Sequence, residues 1–517
     1  RRQRQMCIRD RFFTNDTRTP TSSGKAPTNI NNRADTYSTA YHEEFRKRYT
    51  DPTYENYKNP YGVTEKGNYA YYGSTNWYKL FYKDHSIGHT HNLSISGASD
   101  RASFVLSGKY YNQDGIFKVG NEKFDSYSLR AKGDVKITKW LKISNNTSLF
   151  KNKYHQPTVP GAERYPIGRQ IEMRGQVVYM PYNEDGTQTF YGASTGYDLM
   201  SKDLVYQEDD KMNLATTTTL TIEPIKDVLK FTGDFTYKAI RSSRINVNPI
   251  SSGYSSPTGI ESYNSTSYKE DSRFNTDYVS SNIVGTWTPK LGKNHDLNVV
   301  AGWNIEKTKY RRLFIQRKGL IYDNLPSFEW MSSDEYKIED DGYDKSMVGV
   351  FARLNYTLLN RYIFEFAARY DGSSLFPSNQ QWGFFPSGSI GWRISEEPWM
   401  KWSRNWLDNL KVRANVGSLG NASIDPYSFQ ELMGVSKSSI IINGQKIYYT
   451  NAPQMIPNSL TWETVTTYDI GVDFDLLRNR LSGSFDYYWR YTNDLLVNGP
   501  DYPPVSYTHL TLPTNSL

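Results

Sequence analysis

The chain has 517 residues, with 61 Lys and Arg against 54 Asp and Glu, and a single cysteine. A formal charge of +7 over this length gives no reason to invoke nucleic acid, and one thiol, Cys7, excludes an internal disulfide framework. Aromatic residues make up 15% of the sequence, with 42 Tyr and 12 Trp, yet mean hydropathy is −0.70. No apolar run approaches the ~20 residues that a membrane-spanning helix requires. Strands that alternate between a lipid face and a water face would give this Tyr-rich but hydrophilic average; a soluble all-β array fits the same numbers.

The two ends mirror each other as DNA. Met6-Cys7-Ile8-Arg9-Asp10 and Val505-Ser506-Tyr507-Thr508-His509 can be encoded by one string read in opposite orientations, and that string resembles a transposase adapter. Residues 1–11 and 504–517 are therefore expected to be adapter-derived, with the gene cut on both sides, and are set apart from fold reasoning. Thr14–Asn32 is rich in Thr, Ser, Asn and Pro and reads as loop. Ser38–Tyr49 reads as a helix capped by Ser38, with acidic residues ahead of basic ones and Pro52 and Pro60 beyond its end. Residues 12–90 are assigned to a loop-rich segment with this short helix, forming the first external loop.

From Asn92 onward the dominant signal is period-two alternation in segments of roughly ten residues. Tyr362, Phe364, Phe366, Ala368 and Tyr370 share one face, and Ile363, Glu365, Ala367, Arg369 and Asp371 the other. Seven hairpins are expected, at 91–99/102–112, 125–137/141–152, 211–222/229–240, 274–288/295–306, 346–357/362–371, 384–394/410–417 and 464–476/481–492. Turns within pairs are mostly short. Connections between pairs, at 153–210, 241–273, 307–345 and 418–463, are long and polar. The 395–409 turn is an exception, carrying Trp399, Trp402 and Trp406, and is read as holding a short helix.

Sorting of loops by length, short at one end and long at the other, is the habit of outer-membrane barrels, whose long loops lie outside the cell. Residues 91–503 are thus expected to be an incomplete all-β, antiparallel transmembrane barrel of about 14 strands. Its polar face carries Arg353, Glu365, Arg369, Asp371, Arg393, Lys411, Arg413, Asp469, Asp473 and Arg490. Arg or Lys facing lipid near the midplane would cost ~2–4 kcal/mol each, so their common phase assigns that face to the lumen.

Motifs that could carry chemistry resolve into blander roles. His85, His89 and His91 lack a further ligand at metal-site spacing. Glu208-Asp209-Asp210 and Glu339-Asp340-Asp341 could offer oxygens to calcium but read as solvated external loop. Asp371-Gly372-Ser373-Ser374 has no nearby His base, Gly417-Ser418-Leu419-Gly420 lacks a phosphate-cradle pattern, and Tyr182–Gly186 is a turn. No enzyme, cofactor or metal site is expected.

Several stretches, taken in order, resemble the SusC/RagA family of TonB-linked outer-membrane proteins. They are Asn76-Trp77 with His91–Gly97, Gly108–Gly115, Tyr370–Ser374, Trp382–Pro386 with Gly391–Glu397, Gly417–Asn421, and Trp462-Glu463-Thr464 through Asp486-Tyr487-Tyr488. The resemblance covers roughly residues 30–495 and implies a plugged barrel of about 22 strands, of which this chain would lack about eight, together with the plug and the segment TonB grips. It further implies import of a bulky nutrient, an oligosaccharide (glycan) or a peptide. The implied partners are a SusD-like surface lipoprotein, TonB with ExbB and ExbD through the missing N-terminal region, and outer-membrane lipid. A passive porin and a soluble β-rich adhesin or lectin module are the competing expectations.

Overall fold

The computed structural model describes residues 39–63, 67, 69–159, 167–175, 177–250, 253–263, 266–430, 433–450 and 460–495. The expected helix cap at Ser38, the Thr14–Asn32 loop and both mirrored ends lie outside these residues. Where apolar and polar residues alternate, the chain pairs with its own preceding segment, and fourteen antiparallel strands line up in strict sequence order in one sheet. They are β1 (Gly88–Ala98), β2 (Ala102–Asp114), β3 (Lys123–Lys136), β4 (Leu141–Pro157), β5 (Tyr206–Ile225), β6 (Leu229–Asn248) and β7 (Tyr268–Trp287). Then follow β8 (His295–Lys318), β9 (Tyr336–Leu358), β10 (Tyr362–Ser373), β11 (Trp382–Arg393), β12 (Leu407–Asn421), β13 (Glu463–Leu476) and β14 (Leu481–Asn493). All seven expected hairpins are present. The sheet is open: β1 and β14 do not pair with each other.

The strands differ from expectation in length. Segments read as loop at 241–248, 268–273, 307–318 and 336–345 continue β6 to β9, which reach 20, 20, 24 and 23 residues. A tilted strand needs only ~9–11 residues to cross a bilayer. Beyond that height both faces stand in water, neither needs to be apolar, and the alternation signal disappears. Cross-strand charge pairs hold these extensions instead: Arg311 to Asp344 at 2.9 Å, Arg312 to Glu339 at 3.1 Å, and Arg241 to Asp277 at 2.6 Å.

The carboxylate runs Glu208–Asp210 and Glu339–Asp341 are likewise in β5 and β9, not in loops. Successive strand residues point to opposite faces, so neither run can converge on one ion. Glu208 meets Lys153 at 3.1 Å, Asp209 meets Arg244 at 2.7 Å, and Asp210 meets Lys151 at 3.4 Å. Among the described residues no group of three or more His, Cys, Asp or Glu is arranged to hold a metal.

At the short-turn end most connections are tight; Leu359 and Asn360, both at positive φ (54° and 57°), close β9 onto β10. At the other end a core stands apart from the sheet. Helix α1 (Thr39–Thr50) and the short α2 (Trp77–Phe81) pack on α3 (Ile167–Arg174), α4 (Phe190–Thr195) and α5 (Tyr197–Ser201). Phe45, Trp77 and Phe81 are buried with Ile171, Val178, Leu199, Met200 and Val205. The Tyr71 hydroxyl donates to Asn183 Oδ1 at 2.9 Å. Phe45, Trp77 and Phe81 are thus fastened to the β4–β5 connection by residues far apart in the sequence that share no period.

Candidate functional site

The register fixes which side chains meet. On the apolar face Phe364, Phe366, Tyr370, Phe384 and Ile390 are exposed, and aromatic rows cross the strands, such as Tyr468 on Trp489 at 5.6 Å between centroids. On the opposite face the ten charged residues read from the sequence separate into three groups and two single positions.

The densest group centres on Arg413 of β12. Its guanidinium reaches Asp469 at 3.0 Å, Asp473 at 3.3 Å and Asp486 at 2.5 Å, and Lys411 adds a contact to Asp473 at 3.6 Å. Asn415 Nδ2 donates to Asp469 at 2.6 Å. Arg413 pairs in register with Gly471 of β13, which pairs in turn with Asp486 of β14. The guanidinium therefore lies across a strand that offers no side chain at that point. A Cβ on Gly471 would stand 2.6 Å from both Arg413 Cζ and Asp486 Oδ1. Asp486 was not singled out from the sequence; its signal is its phase in β14, two residues from Tyr488 and four from Arg490, combined with Gly471 opposite.

In the second group Arg369 pairs with Asp371 at 2.9 Å, donates to Asn304 at 3.2 Å, and lies over the Phe351 ring at 5.1 Å. In the third, the Asn355 amide, oriented to satisfy its neighbours, bridges Arg353 and Glu365. Arg393 sits at the short-turn rim, where its Nη1 donates to Asn360 Oδ1 at 2.7 Å. Arg490 stands opposite Thr467 on the edge strand β14, away from the Arg413 cluster.

Near the Arg369 group lies a small apolar cluster of side chains to which the stretches that carried the family resemblance contribute Phe385 and Trp462. Phe376, Phe385, Leu460 and Trp462 are buried together, and Trp462 Nε1 donates to the Gln381 carbonyl at 2.8 Å. The Phe385 ring occupies the space where Gly420 and Gly383 would carry a Cβ. Gly383, Phe385, Gly420 and Trp462 are thus packing partners, whereas Trp382 and Phe384 lie exposed on the apolar face.

The loop tyrosines also have structural roles. Tyr179 is buried and stacks on Tyr191. Burial next to Asp198 pushes the Tyr182 hydroxyl up to about 12, so it stays protonated and donates to that carboxylate at 3.2 Å. Phe190, 37% exposed, meets Tyr254 and Tyr263 edge-on at 5.3 and 5.6 Å, with Arg174 over Tyr263. On β1 and β2 the His91 ring stacks on Tyr110, and His89 meets both rings edge-on.

Residues 144–516 match the family described as TonB dependent receptor-like, beta-barrel. TonB-dependent receptor P3 of Formosa agariphila is 29% identical over 437 residues, 83% of this chain and 42% of its own length. TonB-dependent receptor SusC of Bacteroides thetaiotaomicron is 36% identical over 222 residues, 42% of this chain and 21% of its own. The solved structure of the RagAB peptide importer in its open-open state superposes with a TM-score of 0.68 at 21% identity, covering 90% of this chain and 50% of that one. The chain spans less than half the length of these curated relatives.

Proposed function

Given that the chain belongs to the TonB-dependent receptor-like β-barrel family of the outer membrane, we propose that it forms part of the wall of an active importer for a bulky nutrient, an oligosaccharide or a peptide. The observation that carries this reading is the pairing of an exposed apolar face with a densely charged opposite face, under a packed loop assembly at one end. The charged face lines the lumen. There Arg413 with its three carboxylates, and Arg369 with Asp371, offer ion pairs and hydrogen bonds to a plug supplied by the remainder of the protein. The long-loop end faces the outside, where a SusD-like lipoprotein would cover it, and TonB with ExbB and ExbD supply the energy. Both nutrient classes follow from the resemblance to the SusC/RagA family, and the RagAB structure that shares this fold is itself a peptide importer. The aromatic group at Phe190, Tyr254 and Tyr263 supplies ring faces for stacking.

Uptake of fluorescent oligosaccharides and peptides by cells carrying the complete gene tests this. Import that stops on gene deletion and on collapse of the proton gradient is expected. Import that survives the collapse identifies a passive porin. Trypsin treatment of whole cells should cleave after Lys437 or Lys446 in the 422–462 connection; protection of both sites would place the long loops inside. Recovery of the complete protein in the soluble fraction would favour an adhesin or lectin module.

A further inference from the structure

Six of the seven connections at the short-turn end are brief. The seventh, between β11 and β12, folds into two short 3-10 segments, Ile394–Glu396 and Pro398–Ser403. Met400, Ser403 and Leu407 turn inward and are buried. Trp399, Trp402 and Trp406 are 57%, 68% and 44% exposed, and Lys401 and Arg404 are exposed beside them. A sequence this rich in Trp would normally bury its rings.

The element is anchored to the apolar face. Glu397, itself buried, accepts from the Tyr362 hydroxyl at 2.7 Å and from Trp392 Nε1 at 3.0 Å, and Arg361 approaches it at 3.6 Å. Tyr362 and Trp392 are register partners at the ends of β10 and β11, in phase with Phe364, Phe366 and Ile390. The exposed tryptophans therefore continue the lipid-facing surface past the last strand residues. Indole rings with one polar edge favour the boundary between acyl chains and headgroups, and neighbouring Lys and Arg heads reach phosphates from there.

We propose that residues 394–406 are an interfacial anchor, seating Trp399 and Trp402 in the phospholipid headgroup layer at the short-turn rim while Lys401 and Arg404 meet phosphates. The occupant is phospholipid because the surface is continuous with the lipid face through the Glu397 clamp; Glu397 itself is buried, Glu396 lies 4.0 Å from Arg404, and Lys401 stands exposed beside the rings.

The complete protein, in a cysteine-free background and reconstituted in phosphatidylethanolamine/phosphatidylglycerol vesicles, can carry a nitroxide at Trp402→Cys, Phe366→Cys or Asn360→Cys. Trp399→Cys serves if Trp402→Cys does not assemble. The label at 402 should collide with oxygen severalfold more, relative to a water-soluble nickel chelate, than the label on the short turn at 360. Phe366 should show the strongest oxygen preference. Equal ratios at 402 and 360 would overturn the anchor, and shielding of 402 from both quenchers would replace lipid with a protein partner. Loss of oxygen preference at Phe366 would instead strike at the barrel reading itself.

Discussion

Replacing Gly471 with Ala isolates the bridge that Arg413 makes across β13. The new Cβ would stand 2.6 Å from both Arg413 Cζ and Asp486 Oδ1, about 1 Å inside ordinary contact, so the guanidinium must lift and release Asp486. Two unit charges 4 Å apart attract by about 4 kcal/mol at an effective dielectric of 20. Desolvation and side-chain ordering offset most of that, and the Asp486 side chain is 37% exposed, so the net loss is about 1 kcal/mol. Part is returned by the better strand propensity of Ala, about 0.5 kcal/mol. The decisive quantity is the coupling. Asp486→Asn should cost about 1 kcal/mol in the native background and close to nothing once Gly471→Ala has opened the bridge. Urea midpoints of the complete protein folded in lipid, followed by tryptophan fluorescence, give all four corners of the cycle. Additive losses within ~0.3 kcal/mol would show that Arg413 does not reach Asp486 over Gly471.

Ile390→Lys should cost ~2–4 kcal/mol or block assembly, because that side chain faces lipid. Ser389→Lys, one residue earlier on the polar face and in register with Glu365, should change stability by no more than ~0.5 kcal/mol; equal effects in heat-modifiability gels would refute the face assignment. Phe385→Ala empties the ring site between Gly383, Gly420 and Trp462 and should cost about 3 kcal/mol in the same urea assay; a negligible loss would mean that the site collapses or is not packed. Hydrogen bonds from Trp392 and Tyr362, aided by Arg361, hold the Glu397 carboxyl below the usual carboxylate range. Its stabilisation is therefore complete at neutral pH and fades as pH falls through the lowered folded-state pKa. Glu397→Gln should remove that acid-dependent part, leaving a flatter stability profile below about pH 5; an unchanged slope would count against the clamp.

Fold class and strand order were legible in the sequence because a wall between lipid and water forces period-two alternation wherever both media are present. Tyr362 to Asp371 could be divided into two faces by reading alone, and the register later placed Phe366 and Glu365 as that division requires. Legibility stopped where the two media became one. In 307–318 and 336–345 both faces meet water, so the sequence Lys307-Thr308-Lys309-Tyr310-Arg311-Arg312 looked like loop, although cross-strand pairs with residues of 336–345 hold it in a strand.

The charged candidates show the same division. Their phase was visible, which put Arg413, Asp469 and Asp473 on one face. Their grouping was not, because it depends on register across three strands and on the missing side chain at Gly471, which lets Arg413 reach Asp486. The loop core was further out of reach: Trp77 and Met200 become neighbours of one cluster only when β1 to β5 have brought their ends together. The sequence by itself determined a two-faced antiparallel wall, since alternation is a local response to two solvents. Tertiary structure alone decided which charges meet, how far the strands rise and what the loops enclose, since each depends on residues that sequence distance keeps apart.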